Sequence, residues 1–187
     1  MGKTIGRLLR ISVVFLVFVA CNDKSRQQTK QFTQTQIDSL QRIECDSLLK
    51  ELHTTKADTF GQVKSIPVDF DGCLSQLDTL ISEKMKDWIK CLPDGEFSNH
   101  VHHGFGMYLR NNWGLWGGSK LSEKLYEMGI LHPDDMTGII FDSYQRKIKG
   151  ENIRLQEQLK YYQDYWRKSG TPVDSILQSI EKKKNGG

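Results

Sequence analysis

Long apolar runs are missing from this chain of 187 residues. The most apolar stretch, Ile11 to Cys21, would span only about 16 Å as a helix against a hydrocarbon core of roughly 30 Å, which excludes a bilayer-spanning anchor there. Equally missing are G-x-S-x-G, a P-loop, a dinucleotide-binding glycine pattern, HExxH and cysteine pairs at zinc-site spacing. Without them the sequence carries no signature of nucleophilic hydrolysis, nucleotide binding or zinc chemistry. Alternating apolar and polar runs of useful length are also lacking, so no sheet-based fold is expected.

What is present starts with an order of residue types. Residues 1–25 (MGKTIGRLLRISVVFLVFVACNDKS) put three cations and no acid before the apolar run, then a cysteine followed at once by polar chain. This is the order of an export signal. An ordinary signal-peptidase site wants small side chains at the last and third-last positions; Ala20 fits and Phe18 does not. Phe18-Val19-Ala20-Cys21 instead resembles the lipobox of bacterial lipoproteins, in which the cysteine is acylated and becomes the new N-terminus. The resemblance implies a signal peptide over 1–20, lipidation of Cys21, and a protein lipid-anchored to a membrane of the bacterial cell envelope. More than one acyl chain makes such an anchor durable.

Loss of residues 1–20 changes the charge balance. The chain has 26 Lys and Arg against 23 Asp and Glu, and Lys3, Arg7 and Arg10 leave with the signal, so cations and acids become equal. A nucleic-acid partner would need a retained basic stripe, and none is expected. Lys182 to Lys184 read as a solvated helix end, where cations suit the dipole.

Composition divides the remainder. Residues 21–65 hold only two aromatics, Phe32 and Phe60, and open on a Gln/Thr/Lys-rich tract, which reads as a polar tether. Ile37, Leu40, Ile43 and Leu48 allow a short amphipathic helix inside it. Residues 66–169 carry all four Trp, all six Tyr and four of the eight Phe, and read as one domain; 170–187 read as a short helix and frayed tail.

Within the domain the apolar spacing is helical throughout. Leu74, Leu77, Ile81, Met85, Trp88 and Leu92 predict a helix over 72–92, with Ser82 the place for a break and Pro93 the end. Phe97, Val101, Phe105 and Tyr108 continue the period through Gly104 and Gly106, glycines that suggest close contact with another element. Ser119 caps a helix that Gly129 ends, and Pro133-Asp134-Asp135 starts another that closes at Gly150. Leu155, Leu159, Tyr162 and Trp166 form a helix up to Gly170, and Pro172 opens the last. The expected fold is all-α: a compact single domain of five or six helices behind the signal peptide and tether.

The least ordinary stretch is the corner Arg110-Asn111-Asn112-Trp113-Gly114-Leu115-Trp116-Gly117-Gly118. Over about residues 66 to 168 the chain resembles a bacterial family known as a domain of unknown function, through RNNWGLWGGSKL (Arg110 to Leu121), HPDDM (His132 to Met136) and QEQLKYYQDYW (Gln156 to Trp166). That resemblance implies a shared fold and brings no activity or catalytic residue. Read physically, Arg110 supplies a planar fork of donors, Asn111 and Asn112 paired donors and acceptors, and Trp113 and Trp116 flat apolar faces, a set that suits a sugar or an extended peptide. The rival reading is a helix-helix corner with both Trp rings buried, and large aromatics are more often core than platform.

Other constellations are weaker. His100, His102 and His103, with Asp134 and Asp135 as distant ligands, lack metal-site spacing, so no metal and no other cofactor is assigned. Cys45, Cys73 and Cys91 are an odd number; one straight helix over 72–92 would hold Cys73 and Cys91 about 27 Å apart, and free, mostly buried thiols are expected. The sequence therefore leads to a membrane-anchored envelope lipoprotein with a non-catalytic module for a protein or glycan, no residue being assigned a catalytic role. The alternative is an envelope hydrolase using His102 or His103 with Asp134 or Asp135 as acid and base.

Overall fold

The computed structural model describes residues 33–54 and 60–186. The expected export signal over 1–20, Cys21 and the polar tract up to Phe32 lie outside the described residues. The described chain from Gln34 onward forms one unit. It is helical, with no strand among the described residues beyond the isolated bridge of Phe60 to Ile81.

Helix α1 runs over Gln34–Thr54 and is longer than the short amphipathic helix expected there. Leu48 packs against the core, whereas Leu40 and Ile43 are exposed. Cys45 in α1 is disulfide-bonded to Cys91, with a Cα–Cα distance of 5.7 Å, which corrects the expectation of free thiols at these two positions. The partner of Cys91 lies in a different element, α1, and not in the 72–92 stretch that also holds Cys73. Cys73 is free and buried, and burial pushes its thiol well above the ordinary range. Chain just before the domain is also held: Phe60 stacks on Phe105 at 4.0 Å, and the Val63 amide donates to the Tyr108 hydroxyl at 2.9 Å.

Eight helices follow, α2 (Phe70–Leu80), α3 (Glu83–Cys91), α4 (Glu96–Val101), α5 (Met107–Asn112), α6 (Lys120–Glu127), α7 (Pro133–Lys149), α8 (Leu155–Lys168) and α9 (Val173–Asn185). The count exceeds the five or six expected for two local reasons. Ile81 is extended and Ser82 caps a new helix by accepting the Met85 amide, so the period over 72–92 is cut into α2 and α3. A π turn over His102–Gly106 separates α4 from α5. Close approach explains one of its two glycines: a Cβ on Gly106 would lie 3.1 Å from Arg110 Nη1 and 3.2 Å from the Val101 carbonyl, whereas at Gly104 it would meet nothing within 4 Å.

Helix α7 is the central element. It packs against α2, α3, α4, the π turn, α5 and α8, and buries Met136, Ile139, Ile140, Phe141 and Tyr144. Its start is as the sequence suggests, with Pro133 in the first turn, Asp134 and Asp135 near the free amides, and Gly150 at the end in a left-handed conformation. One feature was not anticipated: His132 is the N-cap, its Nδ1 accepting the Asp134 amide at 3.2 Å.

A candidate binding site at the Trp116 corner

Between α5 and α6 the chain must turn in a few residues. Gly114, Gly117 and Gly118 take φ values of +63°, +122° and +86°, a region where an L side chain is strained. Ser119 fastens the turn to α6: its hydroxyl donates to the Gly114 carbonyl at 3.1 Å and accepts the Ser122 amide at 3.0 Å. The corner thus holds its side chains in fixed directions.

Those directions divide the residues read as a ligand-binding set. Trp113 is 0% exposed, and its indole N–H donates to Gln76 Oε1 at 2.7 Å. Arg110 is 4% exposed, and both of its terminal nitrogens are hydrogen-bonded inside the fold. Its Nη1 donates to Thr137 Oγ1 at 2.9 Å, its Nη2 to the His102 carbonyl at 3.2 Å, and its Nε lies 3.0 Å from Asp134 Oδ1 in an ion pair. The structure therefore places Arg110 and Trp113 in the core, where they join α5 to α7 and α2. Asn111 and Asn112 are exposed, but Asn112 donates back to the Tyr108 carbonyl at 2.8 Å. Trp116 alone of the two tryptophans faces out, 60% exposed, its indole N–H directed at Asn111 Oδ1 at 3.1 Å.

Trp116 stands at a junction. To one side lies a groove of about 640 Å³, where Leu115, Leu131, Pro133, Met136 and Ile180 supply apolar surface and Tyr126, exposed like Trp116, a second aromatic. Charges of both signs, Glu123 and Glu127 with Lys183 and Lys184, also line it. To the other side His132 meets Trp116 edge-on at 6.1 Å and Trp166 at 5.6 Å. Trp166 donates to Asp135 Oδ2 at 2.6 Å; burial nonetheless raises the Asp135 carboxyl above its ordinary range, partly offset by that bond and by nearby His132. Tyr126, Ile180 and the C-terminal lysines were not foreseen as neighbours of this corner. Tyr126 comes from α6 itself, whereas Ile180 and the lysines are there because α9 lines the same groove as α6.

The histidines and acids partly converge. His102 Nε2 lies 4.0 Å from Asp134 Oδ1 and His132 Nδ1 lies 3.7 Å from Asp134 Oδ2. His103 meets His102 ring to ring at 4.8 Å, while His100 turns away to Trp88 and the Glu96 carbonyl. Among the described residues no group of three His, Cys, Asp or Glu side chains is arranged to hold a metal ion. Nor is any described helix long and apolar enough to cross a membrane.

Residues 66–148 match a family model described as "Domain of unknown function (DUF6794)". The matched span contains Arg110 to Leu121 and His132 to Met136 and ends before Gln156 to Trp166. No curated protein and no solved structure matched the chain.

Proposed function

We propose that the protein is a membrane-anchored lipoprotein of the bacterial cell envelope, whose helical domain is a non-catalytic module that binds a protein segment in the groove beside Trp116. The single observation that carries the binding role is the contrast at the corner: Trp113 is buried completely while Trp116 stands exposed beside a 640 Å³ groove. Exposure of a large ring beside apolar surface is the arrangement of a docking site, where an aromatic anchor contributes most of the affinity. A protein segment is favoured over a glycan because Leu115, Leu131, Pro133, Met136 and Ile180 give the groove apolar surface that apolar side chains cover and sugar hydroxyls do not, while Glu123, Glu127, Lys183 and Lys184 can pair with either. The polar groups that would have served one, Arg110 and the Asn111 oxygen, are already occupied.

The envelope assignment rests on the residue order around Cys21 and gains support from the Cys45–Cys91 disulfide, a bond that persists in oxidising compartments. With α1 bonded to α3, residues 22–33 are what separate a lipidated Cys21 from the helical unit. Fatty-acid labelling tests the anchor: Cys21→Ala protein that still incorporates label and stays with the membrane would remove it.

Crosslinking in the native envelope, followed by mass spectrometry, tests the binding role. Trp116→Ala combined with Tyr126→Ala is expected to abolish capture of the partner while the helical circular dichroism stays unchanged. Capture at the wild-type level by that variant would sink the proposal, and a captured glycan in place of a polypeptide would redirect it. The hydrolase alternative is favoured by one distance, the 4.0 Å from His102 Nε2 to Asp134 Oδ1, beyond a direct hydrogen bond and short enough for one water to bridge. Incubation with cell-wall material and chromogenic esters decides it: absence of turnover, or turnover that survives His102→Ala, removes the hydrolase.

A further inference from the structure

A second cleft, of about 400 Å³, has chemistry unlike the Trp116 groove. Asp94 reaches it from the turn between α3 and α4, Ser98 and Asn99 from α4, Asp142 and Arg146 from α7, and Glu157, Gln158 and Tyr161 from α8. Its carboxylates differ in how far they are engaged. Asp94 is saturated with cations: Arg154 Nη2 donates to it at 2.7 Å, Arg146 Nε lies at 3.5 Å and Lys149 Nζ at 3.8 Å. Asp142 is not, since its buried Oδ1 has no hydrogen-bond partner.

Gln158 repeats the pattern. It is 8% exposed, and its Nε2 donates to Ser143 Oγ at 3.0 Å and to the Ile153 carbonyl at 2.7 Å, yet its Oε1 has no partner. Buried polar atoms are nearly always paired; Arg146 Nε, a donor lining the same cleft, is also without a hydrogen-bond partner, but two unpaired acceptors on neighbouring helices outnumber it and leave an acceptor for a donor from outside the chain. Glu157 adds a second carboxylate, and Tyr161, 69% exposed and edge-on to Tyr162 at 5.2 Å, adds an aromatic surface.

We propose that this cleft binds an alkyl primary ammonium group, Asp142 and Gln158 accepting its N–H donors and Tyr161 covering its methylenes. The competing ligand classes fit less well. An anion would face Asp142 and Glu157 while the neighbouring cations stay committed to Asp94. A neutral polyol would leave the Asp142 charge unpaired. A divalent metal ion would need a grouping of ligands that the described residues do not form. A primary ammonium matches in sign: two of its three N–H donors meet the two acceptors, one of them charged, the third stays with water, and the alkyl chain has an aromatic neighbour.

The pH dependence follows from the groups around Asp142. Burial raises its carboxyl to about 6, with Arg146 opposing the rise and Asp94 adding to it; Arg154, Glu157, Tyr161 and Tyr162 are the other charged or titratable groups that line the cleft. Acidification from pH 7.5 to 5 therefore neutralises the main acceptor and weakens binding.

Calorimetric titration of the whole mature protein at pH 7.5 tests the proposal with three probes: 1,4-diaminobutane, Nα-acetyl-lysine amide and tetramethylammonium. Both primary amines are expected to bind, and tetramethylammonium, which has no N–H, at least tenfold more weakly. Tighter binding of the lysine amide identifies a polypeptide lysine as the source of the ammonium group, and tighter binding of diaminobutane a free amine. Asp142→Asn, which keeps the shape and removes the charge, is expected to weaken binding at least tenfold with circular dichroism unchanged; Tyr161→Ala, on the surface, about threefold. Absence of binding by either primary amine at millimolar concentration, equal binding of tetramethylammonium, or indifference to Asp142→Asn would each overturn it.

Discussion

Arg110 and Trp113 point inward from the α5–α6 corner, while Asn111 and Trp116 point outward. Arg110 and Trp113 are three residues apart, close to one helical turn, and so share the face that meets α7 and α2. Trp116 comes after Gly114 has turned the chain, and its ring has left that face. The difference teaches that recognition chemistry in a motif is not the same as availability: an Arg with three internal partners and a Trp whose N–H serves Gln76 have nothing left for a ligand.

Substitution sharpens the contrast. Trp113→Ala should be the most damaging change, destabilising the fold by about 3–5 kcal/mol through the cavity it leaves and the Gln76 acceptor it orphans, as chemical denaturation would measure. Arg110→Ala should cost about 2–4 kcal/mol, because the Thr137 hydroxyl, the His102 carbonyl and Asp134 all lose a partner at once. Arg110→Lys should recover little of this, since one ammonium does not reproduce a planar fork. An inward-facing Arg110 that tolerated both changes would break the comparison.

Asp142 lies between these extremes, and its effect has the opposite sign. Its folded-state carboxyl, at about 6, is above the ordinary value, so the folded protein holds this proton more readily than the unfolded chain. This group therefore destabilises above pH 6, and the penalty fades as pH falls from about 6 towards 4. Asp142→Asn should stabilise by about 1–2 kcal/mol at pH 7, a figure reduced for partial exposure, and the gain should vanish near pH 4 in parallel thermal melts. Trp116→Ala should have the smallest effect on stability, within about 0.5 kcal/mol, while abolishing partner capture. A large loss of stability from this variant would mean that the outward ring also supports the fold.

Much of the fold was legible because its signals are local. Ser119, Pro133, Gly129, Gly150 and Gly170 act on the few residues beside them, and each sits at the helix boundary expected of it. The break at Ser82 was legible in the same way. The π turn was not, since it depends on how Gly106 lies against Arg110 and Phe141. The disulfide was hidden too: Cys45 and Cys91 are 46 residues apart, and nothing in the sequence shows that α1 lies along α3. At the site, composition marked the Arg110 to Gly118 corner as unusual. Which of its residues were available depended on the inward and outward faces, and the Ile180 side of the groove depended on α9.

By itself the sequence determined the helical class, most helix boundaries and the residue types gathered at the corner, because periodicity, caps and glycine conformations act over a single turn of chain. Only the tertiary structure decided that Trp113 is core and Trp116 is surface, that Cys45 meets Cys91, and that Asp142 and Gln158 share a cleft with unpaired acceptors. Exposure and pairing belong to distances between elements far apart in the chain, and those distances are set by how the helices pack around α7.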